Sequence, residues 1–478
     1  MGTPKGPTIR SQSGHSSFET RQSGWSEGPQ GEGFVRKGEE ETTPEAVSTG
    51  AIRAGEIQTR WAWTEPLVWT ERMLATLERG VKGGKWYSLM DKVCDERVLR
   101  AGFEKVSANK GASGVDRVTV DDFESHLGKN LKNLGEELRK GTYRASSIRR
   151  TFIPKPGTKE KRPLGIPTVR DRVVQTALRM VLEPIFENDF AEGSYGFRPG
   201  RGCKDALRKV EQLLKSGFVY IVDVDLKSYF DTIPHEGLMD LVSKRISDGK
   251  VLSLIRGFLE QSIMEDLKEY QPEMGSPQGA VISPLLSNIY LNPLDHEMAE
   301  RGREMIRYAD DFVIMCKTRE EADLALEELK VWTAKAGLTL HPDKTKVVEA
   351  ETEAFEFLGY RFEKGSRFPR KKSLQKLKDS IREKTGRSNG QSFEQIVERL
   401  NLNLKGWFEY FKHAKYWVFK DLDQWIRMRL RSILRMRSGL KGRGRGADHQ
   451  KWPNEFFNAN GLFSLELAHQ AACQSLTR

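Results

Sequence analysis

The sequence predicts an α+β fold whose mixed core gives way to an all-helical, basic region, on three observations. From Arg149 onward, β-branched runs at 151–153, 218–224, 305–316 and 346–348 alternate with helical segments and Gly/Pro turns, so strands and helices share one core. After about Phe362 strand signals stop, and Phe393, Ile396, Leu400, Leu404, Trp407 and Phe411 step by three or four, giving a helix one apolar face around Gly406. A second helix over 421–437 turns Leu422, Ile426, Leu430 and Ile433 inward and sets Arg427, Arg431 and Arg435 in an i, i+4, i+8 row suited to tracking phosphates.

The flanking regions follow from composition. Of the first 60 residues, 36 are Gly, Ser, Thr, Pro or Glu, too poor in large apolar groups to offset the entropy of ordering, so residues 1–70 are expected to form a disordered leader. Apolar residues at helical spacing, interrupted by Ser107-Ala-Asn-Lys-Gly-Ala-Ser-Gly114, predict a helical extension over 71–148. The mixed core then spans 149–363, the basic helical region 364–446, and a short tail 447–478.

Charge and cysteine usage exclude several classes. The 478 residues carry a net charge of +11, which favours a polyanionic partner. Residues 364–446 hold 23 Lys or Arg against 7 Asp or Glu, a surplus larger than that of the whole chain, so the positive charge is localised there. Cys94, Cys203, Cys316 and Cys473 form no Cys-x-x-Cys pair, which removes zinc fingers and a disulfide framework and fits a reducing compartment. The longest charge-free stretch, 275–294, contains three prolines and two glycines and would not span a bilayer, and no secretory signal is visible. No membrane partner is expected.

Two acidic segments carry the chemistry. In Met305-Ile-Arg-Tyr-Ala-Asp-Asp-Phe-Val-Ile-Met-Cys316, short apolar strands flank Tyr308-Ala309-Asp310-Asp311, a β-hairpin presenting adjacent carboxylates at its bend. Two neighbouring acids repel, so apolar arms are a poor setting for them unless a divalent cation balances the charge. Upstream, an apolar strand ends at Asp225 and is followed by Tyr229-Phe230-Asp231. With that strand beside the hairpin, Asp225 and Asp310 can clamp two Mg²⁺ ions about 3.5–4 Å apart for in-line displacement.

These motifs resemble the group II intron reverse transcriptase/maturase family, and the resemblance extends in order along 89–437. It implies a right-hand polymerase, with fingers and a palm on an antiparallel sheet, followed by an α-helical thumb or maturase domain. Asp225, Asp310 and Asp311 are then the catalytic metal ligands, for Mg²⁺ or in substitution Mn²⁺. Phe230 is the aromatic gate that excludes a ribonucleotide 2′-hydroxyl, and Asp223, whose spacing to the aromatic pair fits less well, is structural. Arg150-Thr-Phe-Ile-Pro-Lys-Pro156 and Lys161-Arg-Pro-Leu-Gly-Ile-Pro167 resemble the fingers segment, giving Lys155 and Arg162 to the triphosphate. Gly275-Ser-Pro-Gln-Gly279 places Gln278 against the nucleotide, and Leu338-Thr-Leu-His-Pro-Asp-Lys-Thr-Lys346 offers Lys344, with Lys346 as a close rival, to the leaving pyrophosphate.

Nucleic-acid contacts are implied for Arg198 and Arg201 in Ser194-Tyr-Gly-Phe-Arg-Pro-Gly-Arg-Gly202, for Tyr308, for Gly359 in the primer-grip turn, and for Arg427, Arg431 and Arg435. Leu402-Asn-Leu-Lys-Gly-Trp-Phe-Glu-Tyr-Phe411 resembles the maturase-specific signature, and nothing after Arg445 supplies the paired cysteines of a His-Asn-His endonuclease. The resemblance thus implies an endonuclease-lacking bacterial enzyme that makes cDNA from an RNA template and a DNA primer, binds and helps splice its intron RNA, and takes its priming end from a nick, a replication fork or single-stranded target DNA. It would act as a cytoplasmic ribonucleoprotein, associated with the nucleoid when on DNA. The alternatives are a reverse transcriptase of a phage-defence system, retron or CRISPR-linked, and a splicing maturase without catalysis.

Overall fold

The structure, a computed structural model, describes residues 59–154, 161–266, 268–386 and 390–476. In chain order the strands are β1 (Ile148–Pro154), β2 (Lys161–Ile166), β3 (Tyr220–Asp225), β4 (Ile263–Glu265), β5 (Lys268–Tyr270), β6 (Glu304–Tyr308), β7 (Asp311–Cys316), β8 (Lys346–Glu349), β9 (Phe355–Phe357), β10 (Tyr360–Glu363) and β11 (Ser366–Pro369). Among the described residues they form a sheet ordered β2-β1-β4-β5, a central sheet ordered β6-β7-β3-β8 and a small sheet ordered β11-β10-β9. Every pairing in the central sheet is antiparallel.

Period-two alternation divides the central sheet between two cores. Val222, Val224, Phe312 and Ile314 face a core shared with the helices Val169–Glu187, Ser283–Glu300 and Arg319–Lys335 and with the N-terminal helices. Ile221, Ile306, Val313, Met315 and Val348 face a second core, built with the helix Cys203–Lys215, the small sheet and the helices Lys371–Lys384, Phe393–Phe411 and Tyr416–Arg437. The expected apolar face Phe393, Ile396, Leu400, Leu404 and Phe411 is buried in this second core, while Trp407 is packed against it half-buried. Ser392 and Gln395 close a reciprocal capping box at the start of that helix, which fixes where it begins.

Three expectations change. Residues 1–58 lie outside the described residues, but the expected leader runs too far: Trp61, Val68 and Trp69 are buried in the first core, because large aromatics punctuate this otherwise polar stretch. Strand structure also continues past Phe362, since Ser366–Pro369 pairs with β10 even though its Arg and Pro give no β-branched signal.

The arginine row does not face solvent. Arg431 is 3% exposed, donates to the Trp452 carbonyl at 2.8 Å and to Asn454 at 2.8 Å, and lies over the Phe457 ring. Arg427 is buried beside Asp423, and Arg435 pairs with Asp448 at 2.7 Å. Helical spacing put these cations on one face, and that face meets the C-terminal helices. Arg431→Ala should therefore lower stability by about 2–3 kcal/mol, by stranding the Trp452 carbonyl. It should leave the slope of log RNA affinity against log salt unchanged. Thermal unfolding and binding at graded salt check this, and a smaller slope at unchanged stability would return the side chain to the surface.

Candidate active site

The acidic centre is set by strand register. Asp225, the last residue of β3, lies directly across from Asp311, the first of β7, and Asp311 in turn pairs with Tyr308 of β6. Ala309 and Asp310 are thus a two-residue bend, so Asp310 alone occupies the turn while Asp311 already belongs to the strand. Ala309 takes φ 61°, a left-handed conformation that costs a non-glycine residue about 1 kcal/mol and needs outside support.

Arg307 supplies that support. Its side chain is fully buried, and its guanidinium donates to both Asp295 oxygens at 2.7 and 2.5 Å, to Asn288 at 3.0 Å, to the Ser194 hydroxyl at 2.8 Å and to the Ala309 carbonyl at 2.9 Å. Burial pulls its pKa down and Asp295 more than restores it, so the cation persists. Gly196 packs on the same turn so closely that a methyl group there would overlap the Ala309 amide. The Tyr195 amide donates to the Arg307 carbonyl, and the Arg307 amide to the Gly193 carbonyl, each at 2.8 Å.

Repulsion marks the centre electrostatically. The Asp311 carboxyl is pushed up to about 7, by burial first and then by Asp223 and Asp310. Asp310 is raised by burial and by Asp225, against Arg162 and Arg307. Asp223, set aside from spacing alone, lies two residues before Asp225 and so on the same face of β3; burial drives it to about 6, opposed by Lys346. Lys344 donates to Asp225 at 2.9 Å. Among the described residues no three Asp, Glu, His or Cys side chains close into a ready metal cluster. The donor set nevertheless fits a hard divalent cation, being all carboxylate oxygen and carrying mutual repulsion that such an ion relieves.

The other assigned residues divide between this centre and the framework. The Phe230 ring stands edge-on to Tyr229 at 5.5 Å and to Phe197 at 6.5 Å, and Phe197 lies 6.3 Å from Tyr308. Phe197 was missed from sequence; its φ of 59° and 40% exposure mark it in the structure. Gln278 donates to Asp231 at 3.2 Å. Arg162, on β2, is close enough to act on Asp310, and Lys155 lies outside the described residues. Arg201 holds the exposed Glu192 at 2.8 Å, a surface pair that a phosphate can displace. Gly359 (φ 80°) makes the β9–β10 turn, where Tyr410 donates to the Leu358 carbonyl and Tyr360 to the Tyr410 carbonyl, each at 2.7 Å.

Arg198 needs correction. It is 6% exposed and is consumed by Glu187 and by the carbonyls of Ala191 (2.7 Å) and Ser194 (2.8 Å), so it braces the loop behind the catalytic turn rather than meeting phosphate.

Paired acidic strands, a buried turn and an adjoining cluster of aromatic rings fit the palm of a template-directed nucleotidyl transferase. Residues 153–362 match the reverse transcriptase (RNA-dependent DNA polymerase) family and residues 374–452 the group II intron, maturase-specific domain. The chain is 35% identical over 347 residues to protein YkfC of Escherichia coli (strain K12), covering 63% of this chain and 85% of that protein. It is 31% identical over 330 residues to the group II intron-encoded protein LtrA of Lactococcus lactis subsp. cremoris, covering 55% of this chain and 54% of LtrA. Telomerase from Candida albicans superposes loosely, with TM-score 0.39 and 14% identity over 67% of this chain and 65% of that one. The chain belongs to the group II intron reverse transcriptase/maturase family.

Two outcomes follow from the geometry. Arg307→Met should cost about 3–5 kcal/mol, since it leaves Asp295 charged and unpaired in the core. It should also abolish activity with all acids intact; a stable, active variant in unfolding and activity measurements would contradict the bracing role. Asp311, raised in the folded state, binds more protons there than in the unfolded chain, so the cation-free protein should lose stability as pH climbs from about 4 to about 7. Asp311→Asn should flatten that profile and raise the melting temperature at pH 8 by about 2–4 °C. Parallel profiles in a thermal-shift series would exclude Asp311 as the source.

Proposed function

We propose that the chain copies RNA into DNA by extending a DNA 3′ end with deoxynucleoside triphosphates, and that it binds its intron RNA and assists its splicing. What supports the reading most is the register that sets Asp225 opposite Asp311, with Asp310 at the adjoining bend and Phe230 joined to that hairpin through Phe197, 6.5 Å from Phe230 and 6.3 Å from Tyr308. Asp225, Asp310 and Asp311 would hold Mg²⁺, or Mn²⁺ in substitution; when bound, such ions acidify an attacking hydroxyl and neutralise a triphosphate. Arg162 and Lys155 grip the triphosphate, Gln278 faces the sugar and base, and the Phe230 ring excludes a 2′-hydroxyl. Lys344, beside Asp225, stands where it can protonate the departing pyrophosphate.

With Arg427 and Arg431 buried and the half-buried Arg435 paired to Asp448, phosphate contact passes to Arg201, to Tyr308, to the Gly359 turn and to the exposed Lys371, Lys372 and Lys376 that open the helix Lys371–Lys384. The maturase-specific match over 374–452 favours an intron-borne enzyme over a phage-defence one. Among the described residues no helix is long and apolar enough to cross a membrane, and the proposed setting is a cytoplasmic ribonucleoprotein that meets target DNA at the nucleoid.

Primer extension on an RNA template tests this reading. Wild type should synthesise DNA, Asp310→Asn should lose at least about 100-fold, and Phe230→Ala should incorporate ribonucleotides at least about tenfold more readily. Equal synthesis by wild type and Asp310→Asn would reject the assignment of the acid.

A further inference from the structure

Asp231 follows the aromatic gate directly and sits where three segments are stitched together. The Ser276 amide donates to the Phe230 carbonyl at 2.7 Å, the Gly275 amide to the Ile233 carbonyl at 2.8 Å, and the Gly165 amide to the Gln278 carbonyl at 2.6 Å. Gly275 (φ 93°) lies so close to Asp231 that a Cβ there would come within 2.9 Å of its backbone. These contacts fix main chain only. A cavity of about 240 Å³ opens beside Phe230 and Asp231, lined also by Arg150, Ile263, Tyr270 and Met274. What the Gln278 side chain has is its 3.2 Å hydrogen bond to the Asp231 carboxylate. Arg150, anchored by Glu265 at 3.4 Å and lying over Tyr270, is the cation facing that carboxylate.

A carboxylate only accepts hydrogen bonds, so the amide of Gln278 must turn its nitrogen toward Asp231 and its oxygen away. We infer that Asp231 is a positioning residue for nucleotide selection: it fixes the Gln278 carboxamide with the acceptor oxygen presented to the sugar of the incoming nucleoside triphosphate. This rests on the polymerase reading above. Asparagine at 231 offers both a donor and an acceptor, so it would let the Gln278 amide turn either way and leave the useful orientation in a minority of about one fifth.

The test is steady-state incorporation by the full chain on an RNA template with a DNA primer, using deoxynucleoside and ribonucleoside triphosphates. Asp231→Asn should raise KM for the deoxynucleotide about fivefold with kcat within about twofold of wild type, and should reduce discrimination against the ribonucleotide in parallel. In a Gln278→Ala background the same substitution should add nothing, because its effect acts through that amide. Asp231→Ser serves as a second variant if Asp231→Asn fails to fold. Unchanged KM and sugar discrimination overturn the inference, as does a loss confined to kcat that adds in full to that of Gln278→Ala. A wild type that incorporates nothing sinks the polymerase reading and this inference with it; an active wild type with an indifferent Asp231→Asn sinks the inference alone.

Discussion

A single buried guanidinium organises the acidic centre. Arg307 lies in the strand Glu304–Tyr308 beside the apolar Met305 and Ile306, with every donor occupied by Asp295, Asn288, Ser194 or the Ala309 carbonyl. Burying a cation is costly, and the arrangement persists because its partners leave no proton unsatisfied. In return the bend holds Ala309 in a conformation that its side chain disfavours, and Asp310 is aimed by that bend. Three stretches far apart in sequence, 193–198, 288–295 and 307–311, thereby become one support. Gly193 and Gly196 are small because backbone must come within touching distance of backbone there.

The second constraint is charge. Four carboxylates, Asp223, Asp225, Asp310 and Asp311, gather at one end of the central sheet, and burial and mutual repulsion push the Asp223, Asp310 and Asp311 carboxyls upward. The segment after the hairpin answers them individually: Lys344 for Asp225, Lys346 for Asp223 and Arg370 for Asp311. The resting protein thus balances its acids with its own cations, each on a flexible stem able to withdraw.

Much of this was legible in the amino-acid order. Apolar, β-branched runs along 218–225 and 305–316 located both acidic strands, and the three- and four-residue steps from Phe393 located the long thumb helix. Direction was less accessible. The spacing of Arg427, Arg431 and Arg435 specifies a common face but not what lies against it, and their partners Trp452, Asn454 and Asp448 come from elsewhere in the chain. Arg198 misled in the same way, because a loop rich in Gly and Arg reads as phosphate-binding until Glu187 is found beside it. Arg307 gave no signal beyond its strand, since one cation among apolar residues has no periodicity of its own. Asp223 could have been found by counting in twos from Asp225.

The central sheet presents its acid-bearing face to the same core that the thumb helices fill, with Ile221, Val313 and Met315 packed in a cluster that also holds Tyr360, Leu404 and Phe411. Catalytic platform and gripping helices are therefore not separable modules in a mechanical sense. A chimaera joined at residue 363 would sever β11 from β10 and part Tyr360 from Tyr410, whereas a junction upstream of Phe355 would carry the whole small sheet with its helices. Exchange of grip between relatives is thus constrained to travel with the strands that precede it.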